Sequence, residues 1–146
     1  MAELRELSSR ECLTLLRSGV AGRIALLTPT GPHIVPVNYS VVDDAIVVRT
    51  SPYSLLGTYG RETMLAFEID GMDAAKERGW SVQARGRAGV VTDRDDLAAI
   101  REVAEPRPWV GGGRSLYLRL RWTEITGHKL GDDWDPVPDL PVGTSA

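Results

Sequence analysis

Residues 49–54 read RTSPYS and bring together side chains that can bind a phosphate group. Arg49 carries a fixed positive charge. Hydroxyl groups, which can donate hydrogen bonds to an anion, follow at Thr50, Ser51 and Ser54. A helix predicted to begin near Ser54 would add the unsatisfied N–H groups of its first turn. These residues alone leave two interpretations open: a phosphate site, or a helix cap beside an arginine that pairs with a surface carboxylate.

Other side chains that could do chemistry lack the spacing of a known site. His33 and His128 are far apart in sequence, and neither belongs to an HxxxH or HxxE pattern. The glycines at 111–113 are not followed by the GK[ST] of a nucleotide-hydrolase phosphate loop, so we interpret residues 107–114 as a flexible loop. There is no GxSxG motif. The sequence therefore predicts no metal site and identifies no catalytic residue.

Acidic residues and one cysteine form two further candidates. Glu68, Asp70 and Asp73 could act as acid–base partners or cation ligands, but a solvated edge of a strand explains them more simply. Cys12 lies in the apolar pattern ECLTLL, which indicates a buried, inert thiol.

Composition limits the class of protein. The chain has 146 residues, enough for one domain with a real core. Its net charge is −3 and its pI is near 5.4, so a nucleic-acid-binding surface is not expected. A single cysteine excludes an internal disulfide. No stretch approaches the roughly 20 apolar residues of a membrane span, and the first residues lack a signal-peptide core, so we expect a cytoplasmic protein with no membrane partner.

Strand patterns dominate the chain. A first helix is predicted from Ser8, where Ser8 and Glu11 form a capping box, and a second helix begins after Asp93. Period-two alternation and short apolar runs predict strands at GRIALLT, HIVPVNYSVV, AIVVRTS, MLAFEID, WSVQARGRAGVV, SLYLRLRW and EITGHKL, with a bulge at Gly86 or Gly89. We predict a mostly β (α+β) domain over residues 1–130, built as a six- or seven-stranded antiparallel barrel with peripheral helices. The Pro- and Asp-rich residues 131–146 are predicted to form a mobile tail.

Several motifs, in their order, resemble the pyridoxamine 5′-phosphate oxidase-like family of flavin-binding split barrels, in particular its small actinobacterial-type members. The motifs that carry this resemblance are LSSRECLTLLRSGVAGRIAL, PHIVPVNYSVVDDAIVVRTSP, MLAFEID, GWSVQARGRAGVVTD, RPW and LYLRLRWTEITGHKL. They cover about residues 7–130. The resemblance implies a split barrel that forms a homodimer, with FMN, or a deazaflavin in some relatives, held in grooves at the subunit interface.

The same resemblance implies which residues would contact the flavin. The isoalloxazine ring would lie along Pro36, Val37 and Asn38. The ring and ribityl chain would run beside Val48, Arg49, Thr50 and Ser51, and the phosphate would meet Ser54. From the same or the partner subunit, the long strand at residues 80–91 could bring Trp80, Ser81 and Gln83 to the flavin.

The chain departs from the family pattern directly after Ser54. Family members commonly carry a lysine, or an arginine–lysine pair, at the two positions where this chain has Leu55 and Leu56. Charge-assisted hydrogen bonds contribute roughly 1.5–3 kcal/mol each, so the missing cation would weaken phosphate binding. Candidates to replace it are Arg49, Arg61, Arg85 and Arg87.

Three functions follow from this comparison of residues and motifs. The first is an FMN-dependent oxidoreductase or flavin reductase that acts on a small redox substrate, with the flavin doing the chemistry. The second is a non-catalytic binding protein for a deazaflavin, a haem-like group or another ligand in the same groove, which Leu55 and Leu56 would favour. The third is a homodimer whose flavin site has decayed.

Overall fold

The computed structural model describes residues 3–106, 113–131 and 134–136. Eight strands occupy most of this length: β1 (Leu4–Glu6), β2 (Ala21–Thr28), β3 (Gly31–Asn38), β4 (Ser40–Val42), β5 (Ala45–Thr50), β6 (Thr63–Asp73), β7 (Arg78–Val90) and β8 (Leu116–Leu130). Three helices connect or flank them: α1 (Ser9–Ser18), α2 (Leu55–Tyr59) and α3 (Arg94–Ala104).

The strands form one antiparallel sheet in the order β3-β2-β6-β7-β8-β5-β4, and the short β1 pairs with β8 beside this path. The sheet curls into a half-barrel, so that β3 at one end approaches β5 near the other. The predicted mostly β, six- or seven-stranded split barrel with peripheral helices is therefore confirmed, with seven strands along the path of the sheet. Strand β1 was not predicted from the sequence, and the single strand predicted at HIVPVNYSVV was wrong: it is two strands, β3 and β4, separated at Tyr39.

Helix α1 is positioned by its N-terminal cap. Ser8 Oγ accepts a hydrogen bond from the backbone N–H of Glu11 at 3.1 Å, and the Glu11 carboxylate accepts one from the backbone N–H of Ser8 at 3.0 Å. These contacts form the predicted capping box, and they lower the pKa of Glu11. Helix α1 then buries Cys12, Leu15 and Leu16 in the interior of the half-barrel.

Strand β8 runs without a break through residues that the sequence pattern divides into two strands. Arg85 of β7 pairs with Glu124 and Gly86 pairs with Trp122, which leaves Thr123 without a partner on β7. The sheet is thus irregular beside Gly86, but the extra residue belongs to β8 and not to β7, where the sequence predicted the bulge. The core-facing residues of β8 are even-numbered before Thr123 (Leu116, Leu118, Leu120) and odd-numbered after it (Ile125, Gly127, Lys129). The prediction of a separate last strand was wrong because this change of parity looks like a strand end.

Helix α3 packs on the outer side of β5 and β8. A second, smaller core there contains Val47, Val91, Ile100 and Tyr117. Asp93 caps the helix, because its side chain accepts hydrogen bonds from two backbone N–H groups of the first turn.

The end of β8 continues into residues that contact the sheet. The buried Lys129 donates a hydrogen bond from Nζ to the Trp134 carbonyl at 2.8 Å, and Trp134 Nε1 donates one to the Leu130 carbonyl at 2.8 Å. The guanidinium of Arg78 lies 4.6 Å from the centre of a Trp134 ring. Most of the predicted tail lies outside the described residues, so its mobility and the 1–130 boundary stay predictions. Within the described ranges, no helix is long and apolar enough to cross a membrane.

Candidate functional site

A groove between β3, β5 and α2 contains most of the predicted flavin-contacting residues. We call it groove one; its volume is about 270 Å³. It is lined by Val35, Pro36, Val37, Asn38, Arg49, Thr50, Ser54, Leu55, Leu56 and Arg114. Six of these belong to the predicted set, so the structure brings the two strand segments and the turn together as one surface. Strand β3 is at the end of the sheet order and pairs only with β2 among the described strands, which leaves its other edge available to the groove.

The hydroxyl groups at the α2 end of groove one are used to close the turn. Ser54 Oγ donates to the Ser51 carbonyl at 2.8 Å and accepts from the backbone N–H of Gly57 at 2.9 Å. Thr50 Oγ1 lies 2.7 Å from Ser54 Oγ. Because the Ser54 proton is directed to Ser51, the Thr50 hydroxyl is the donor in that pair. Both hydroxyl protons are therefore engaged within the turn.

Helix α2 does not offer the dipole that the sequence pattern suggested. It has five residues, and its N-terminal cap is filled by Ser54. So short a helix has little macrodipole. The alternative interpretation, in which Ser54 caps the helix, is the arrangement that the structure shows.

The charge of Arg49 is shared with an acidic residue near the end of α3. Arg49 Nη1 lies 3.4 Å from Glu105 Oε1, and the guanidinium carbon lies 5.2 Å from the centre of the Tyr117 ring. Tyr117 donates its hydroxyl proton to the same carboxylate oxygen at 2.6 Å. Arg49 Nε is buried without a hydrogen-bond partner among the described residues. Arg49 lines the groove, but its positive charge is largely compensated by Glu105.

The two leucines after Ser54 have structural roles. Leu56 is 1% exposed and belongs to the main core, and Leu55 is half-buried and packs against that core. A charged side chain at position 56 would lose its hydration without a partner. The packing of α2 against the core thus explains why these positions carry no cation.

Besides Val35, sequence reasoning missed one groove residue, Arg114. It lies two residues before β8, and Thr50 pairs with Leu116 at the start of that strand, so Arg114 is beside the turn that contains Ser54. The available signal was its position between a glycine run and a strong strand pattern. Of the four substitutes named from sequence, Arg49 lines groove one, and the other three do not: Arg61, Arg85 and Arg87.

Two further predicted residues lie next to groove one without lining it. Val48 is buried in the main core, since β5 turns its side chain inward. Ser51 supports the turn, because its hydroxyl oxygen accepts a hydrogen bond from the backbone N–H of Tyr53 at 3.2 Å.

The predicted residues on β7 belong elsewhere in the chain. Trp80 and Ser81 line a second groove of about 460 Å³, which we call groove two, and Gln83 is exposed and lines neither groove. Groove two is mainly apolar and is lined by Leu4, Met72, Asp73, Ala74, Glu77, Arg78, Gly79, Trp80, Ser81, His128 and Leu130. The two grooves share no lining residue. One chain therefore does not bring all the predicted contacts together.

The acidic residues of β6 form an ion-pair cluster with Arg23. Arg23 Nη1 lies 3.2 Å from Glu68 Oε1 and 3.1 Å from Asp70 Oδ2. Partial burial, followed by the proximity of Asp70, raises the pKa of Glu68 despite Arg23. Strand β6 lies between β2 and β7, so the expected solvated edge was wrong: these carboxylates are on the open face of a central strand.

The remaining sequence candidates are ordinary structural residues. Cys12 is fully buried, and burial raises the pKa of its thiol, as the prediction of an inert cysteine requires. His33 Nε2 lies 3.0 Å from Thr30 Oγ1 in the β2–β3 hairpin. Across the residues that the structure describes, no three His, Cys, Asp or Glu side chains are arranged to hold a metal ion.

Comparison with known proteins agrees with this geometry. A family model described as pyridoxamine 5′-phosphate oxidase matches residues 8–129. The chain belongs to this family. Solved structures of similar fold include proteins described as FAD-binding.

Three similar proteins illustrate the relationship. A solved structure of an FAD binding protein from Mycobacterium smegmatis is 32% identical, has a TM-score of 0.73, and covers 86% of this chain and 97% of its own. The uncharacterized protein Rv0080 of Mycobacterium tuberculosis is 29% identical over 88% of this chain and 86% of its own length. An FAD-binding protein from Mesorhizobium loti, 21% identical with a TM-score of 0.68, covers 86% of this chain and 97% of its own and shares the fold.

Proposed function

We propose that this protein is a flavin-dependent oxidoreductase or flavin reductase that works as a homodimer and holds its flavin in groove one. The observation that carries this proposal is the convergence of β3, β5 and α2 residues on one groove that also contains Arg114. The family membership and the 32% identical FAD binding protein support it.

The residues of groove one fit a flavin. Val35, Val37 and Leu55 supply apolar surface for a planar ring, and the Asn38 amide can both donate and accept hydrogen bonds at its edge. A bound flavin supplies hydride or one-electron transfer. The chain would bind and orient the ring and exclude water from one side of it. No side chain is needed as a nucleophile.

The cofactor in this proposal is FMN, as the family resemblance implies, or FAD, which two observations favour. FMN ends in a phosphate monoester with nearly two negative charges, whereas each phosphate of FAD carries one. The apolar Leu55 and Leu56 at the phosphate end favour the lower charge density of FAD, and so does the cofactor named for the M. smegmatis protein. Release of the bound ligand by heat, followed by chromatography and mass measurement, distinguishes FMN, FAD and a deazaflavin.

The division of predicted contacts between two grooves supports the homodimer. A groove of about 270 Å³ is slightly below the range of about 300–1,000 Å³ usual for small-molecule sites, so a second wall is needed to enclose a flavin. Trp80 and Ser81 of the partner subunit are the proposed second wall. Exposed apolar side chains on the outer face of the sheet, including Leu27, Ile34 at 71% exposure and Met64, suit a contact between copies.

Two measurements test the proposed function. The purified protein should show a visible flavin absorption band, or should gain thermal stability when FMN or FAD is added, since a ligand that binds only the folded state stabilises it. Loss of the oxidised band after anaerobic addition of a nicotinamide donor supports an oxidoreductase. A flavin that stays bound and oxidised with every donor supports the non-catalytic binding protein instead.

The dimer has its own test. Light scattering after size exclusion should give twice the chain mass for the wild type and a smaller mass for Ile34→Glu. A control is Ala98→Glu, because Ala98 is exposed on α3 and lines neither groove. A monomeric wild type that binds flavin would contradict the two-subunit site.

A further inference from the structure

The open face of the sheet carries the Arg23–Glu68–Asp70 ion-pair cluster where β2 meets β6. We infer that this cluster recognises a second copy of the chain, with Arg23 of each protomer placed on the carboxylates of Glu68 and Asp70 of the other protomer. This inference rests on the proposed homodimer. It goes beyond that proposal by naming the direction of the two-fold axis and the ion pairs that select the partner.

The proposed two-subunit site determines which strands face each other. Groove one contains Pro36 and Asn38 of β3, and its proposed second wall contains Ser81 of the partner subunit, which lies on β7. Strand β3 of one copy would therefore face β7 of the other. Strands β2 and β6 lie between these two in the sheet order, so a two-fold axis that exchanges β3 with β7 also exchanges β2 with β6. This axis runs along the boundary of β2 and β6.

The residues beside this axis suit the packing of two faces. Ala25 of β2 pairs with Ala66 of β6, and these short side chains let two sheets approach closely. Three large apolar side chains on the same face are exposed in the single chain: Leu27, Ile34 and Met64. A second copy on this face would remove them from water.

The free edge of β3 is less suited to a contact between copies. Pro32 and Pro36 lack N–H groups and so interrupt the row of donors along this strand. Prolines on an edge strand prevent it from pairing with another strand. Packing through the open face is therefore favoured over a dimer that joins two β3 strands edge to edge.

The ion-pair cluster has capacity for further contacts. One nitrogen of Arg23, Nη1, lies 3.2 Å from Glu68 Oε1 and 3.1 Å from Asp70 Oδ2. The Arg23 side chain is 53% exposed, so its Nη2 and Nε groups can donate to another acceptor. Burial, followed by the proximity of Asp70, raises the pKa of Glu68. One guanidinium thus compensates two carboxylates only in part.

Exchange of β2 with β6 satisfies the cluster from both sides. Arg23 pairs with Glu68 across the boundary through which the axis passes. Rotation about that axis places Arg23 of each copy over the carboxylates of the other, so the same contact forms twice. The surface carries both the cation and the anions that it binds, which fits a second copy of this chain better than a partner of one charge sign.

The experiment reverses the charges of the cluster in separate full-length chains. Arg23→Glu makes the cluster wholly negative, and the double variant Glu68→Lys/Asp70→Lys makes it wholly positive. Each variant alone should dimerise at least about 10-fold more weakly than the wild type, because like charges meet twice. An equimolar mixture should form a heterodimer. Ultracentrifugation over a dilution series measures the dissociation constants, and native mass spectrometry identifies the two chains.

Arg121→Glu is the matched control. Arg121 is exposed on the same face and pairs with Arg87, but it belongs to β8. When β3 of one copy faces β7 of the other, β8 has no strand of the path opposite it. This charge reversal should leave the dissociation constant of the dimer unchanged.

A second measurement does not depend on charge. Ala25→Cys and Ala66→Cys chains are mixed and treated with a short bismaleimide. The two chains should be linked, because the axis brings Ala25 of one copy to Ala66 of the other. Ala98→Cys, on α3, is the control and should give no link. The natural Cys12 is buried and does not compete.

The outcomes separate this inference from the proposed function. Charge variants that dimerise as tightly as the wild type would overturn the inference, and so would a mixture that gives neither heterodimer nor cross-link. If the charge variants do not fold, the cross-link alone decides. A monomeric wild type contradicts the homodimer and the inference together. Dimers that respond to charge as expected but bind neither FMN nor FAD contradict the flavin function and leave the inference standing.

Discussion

Groove one and groove two are built from different kinds of sequence. Groove one is lined by short runs of consecutive residues, 35–38, 49–50 and 54–56, with one addition from before β8. Groove two combines Leu4 near the start of the chain, the β6–β7 hairpin and the end of β8. Consecutive runs can be identified from sequence, whereas a surface assembled from distant segments depends on the register of the sheet.

The residues that line the two grooves also differ in their contribution to the hydrophobic core. Groove one has a polar end closed by hydrogen bonds, together with Arg49 and Arg114. In groove two the largest wall residue, Trp80, is 7% exposed and also belongs to the main core. A substitution at Trp80 therefore affects the folding of the chain as well as any ligand in groove two.

Truncation of Trp80 gives the largest expected effect. Trp80→Ala should lower the free energy of unfolding of the flavin-free protein by about 3–5 kcal/mol, because it removes a buried aromatic side chain and leaves a cavity. Urea denaturation measures this change. Ser81→Ala, the next residue on β7 with its side chain on the other face, should change it by less than about 0.5 kcal/mol.

An equal loss of stability in Trp80→Ala and Ser81→Ala would contradict this difference between the two grooves. Trp80 would then be a surface residue of groove two, and both grooves would be free to vary without cost to the fold. A larger effect at Trp80 sharpens the distinction between a groove wall that is part of the core and one that is not.

The second largest effect is expected for a substitution of Gly57 in α2. A Cβ at Gly57 would collide with the Ser51 carbonyl, so Gly57→Ala should force the turn of groove one apart and destabilise the protein by about 1–3 kcal/mol. Gly113 is the control, because a Cβ there meets no neighbouring atom. Thermal unfolding of both variants checks the prediction. A Gly57→Ala protein as stable as Gly113→Ala would show that the turn is looser than its hydrogen bonds indicate.

The smallest expected effect is a dependence of protein stability on pH, which arises from an ion-pair cluster in the sheet between the grooves. Arg23 pairs with Pro36 of groove one, and Asp70 pairs with Ser81 of groove two, so the Arg23–Glu68–Asp70 cluster lies between them. The folded state raises the pKa of Glu68 above its ordinary value of 4.5. The contribution of this group to stability is therefore complete below that value and is lost as pH rises through the folded pKa.

Glu68→Gln removes that titration. The variant should lose less stability than the wild type between acidic and neutral pH, as urea denaturation at a series of pH values would show. Glu124→Gln, an exposed carboxylate paired with Arg85 on the same face, is the control and should follow the wild type. If the stability of Glu68→Gln and that of the wild type change with pH in the same way, the cluster does not connect the two grooves through a pH-dependent interaction.

The fold was predictable because local patterns and pairing agree. The capping box at Ser8, the helix cap at Asp93 and the β4–β5 hairpin all follow from residue types at fixed spacings. The acidic turn of that hairpin contains Asp43 with φ of 54°, a left-handed conformation that aspartate tolerates. The strand β1 was not predictable, because three exposed residues carry no periodic signal.

The site was only partly predictable because sequence does not show what a side chain already binds. Arg49 lines groove one, but its pairing with Glu105 depends on how α3 packs and is not visible in the sequence. Arg114 was missed because only the register of β5 with β8 brings it beside Ser54. Trp80 and Ser81 were assigned to the flavin by resemblance, and a single chain places them in groove two.

Thr123, which has no paired residue on β7, determines which side chains of the rest of β8 face the core. Side chains alternate strictly along a strand, so one extra residue exchanges inside and outside for everything that follows. Without it, His128 would point into the core and the buried Lys129 would reach solvent. Deletion of one residue at position 123 would therefore change which side chains line groove two, while the pairing of β5 with β8 beside groove one would stay the same. At this bulge, the two ends of the molecule can thus change independently.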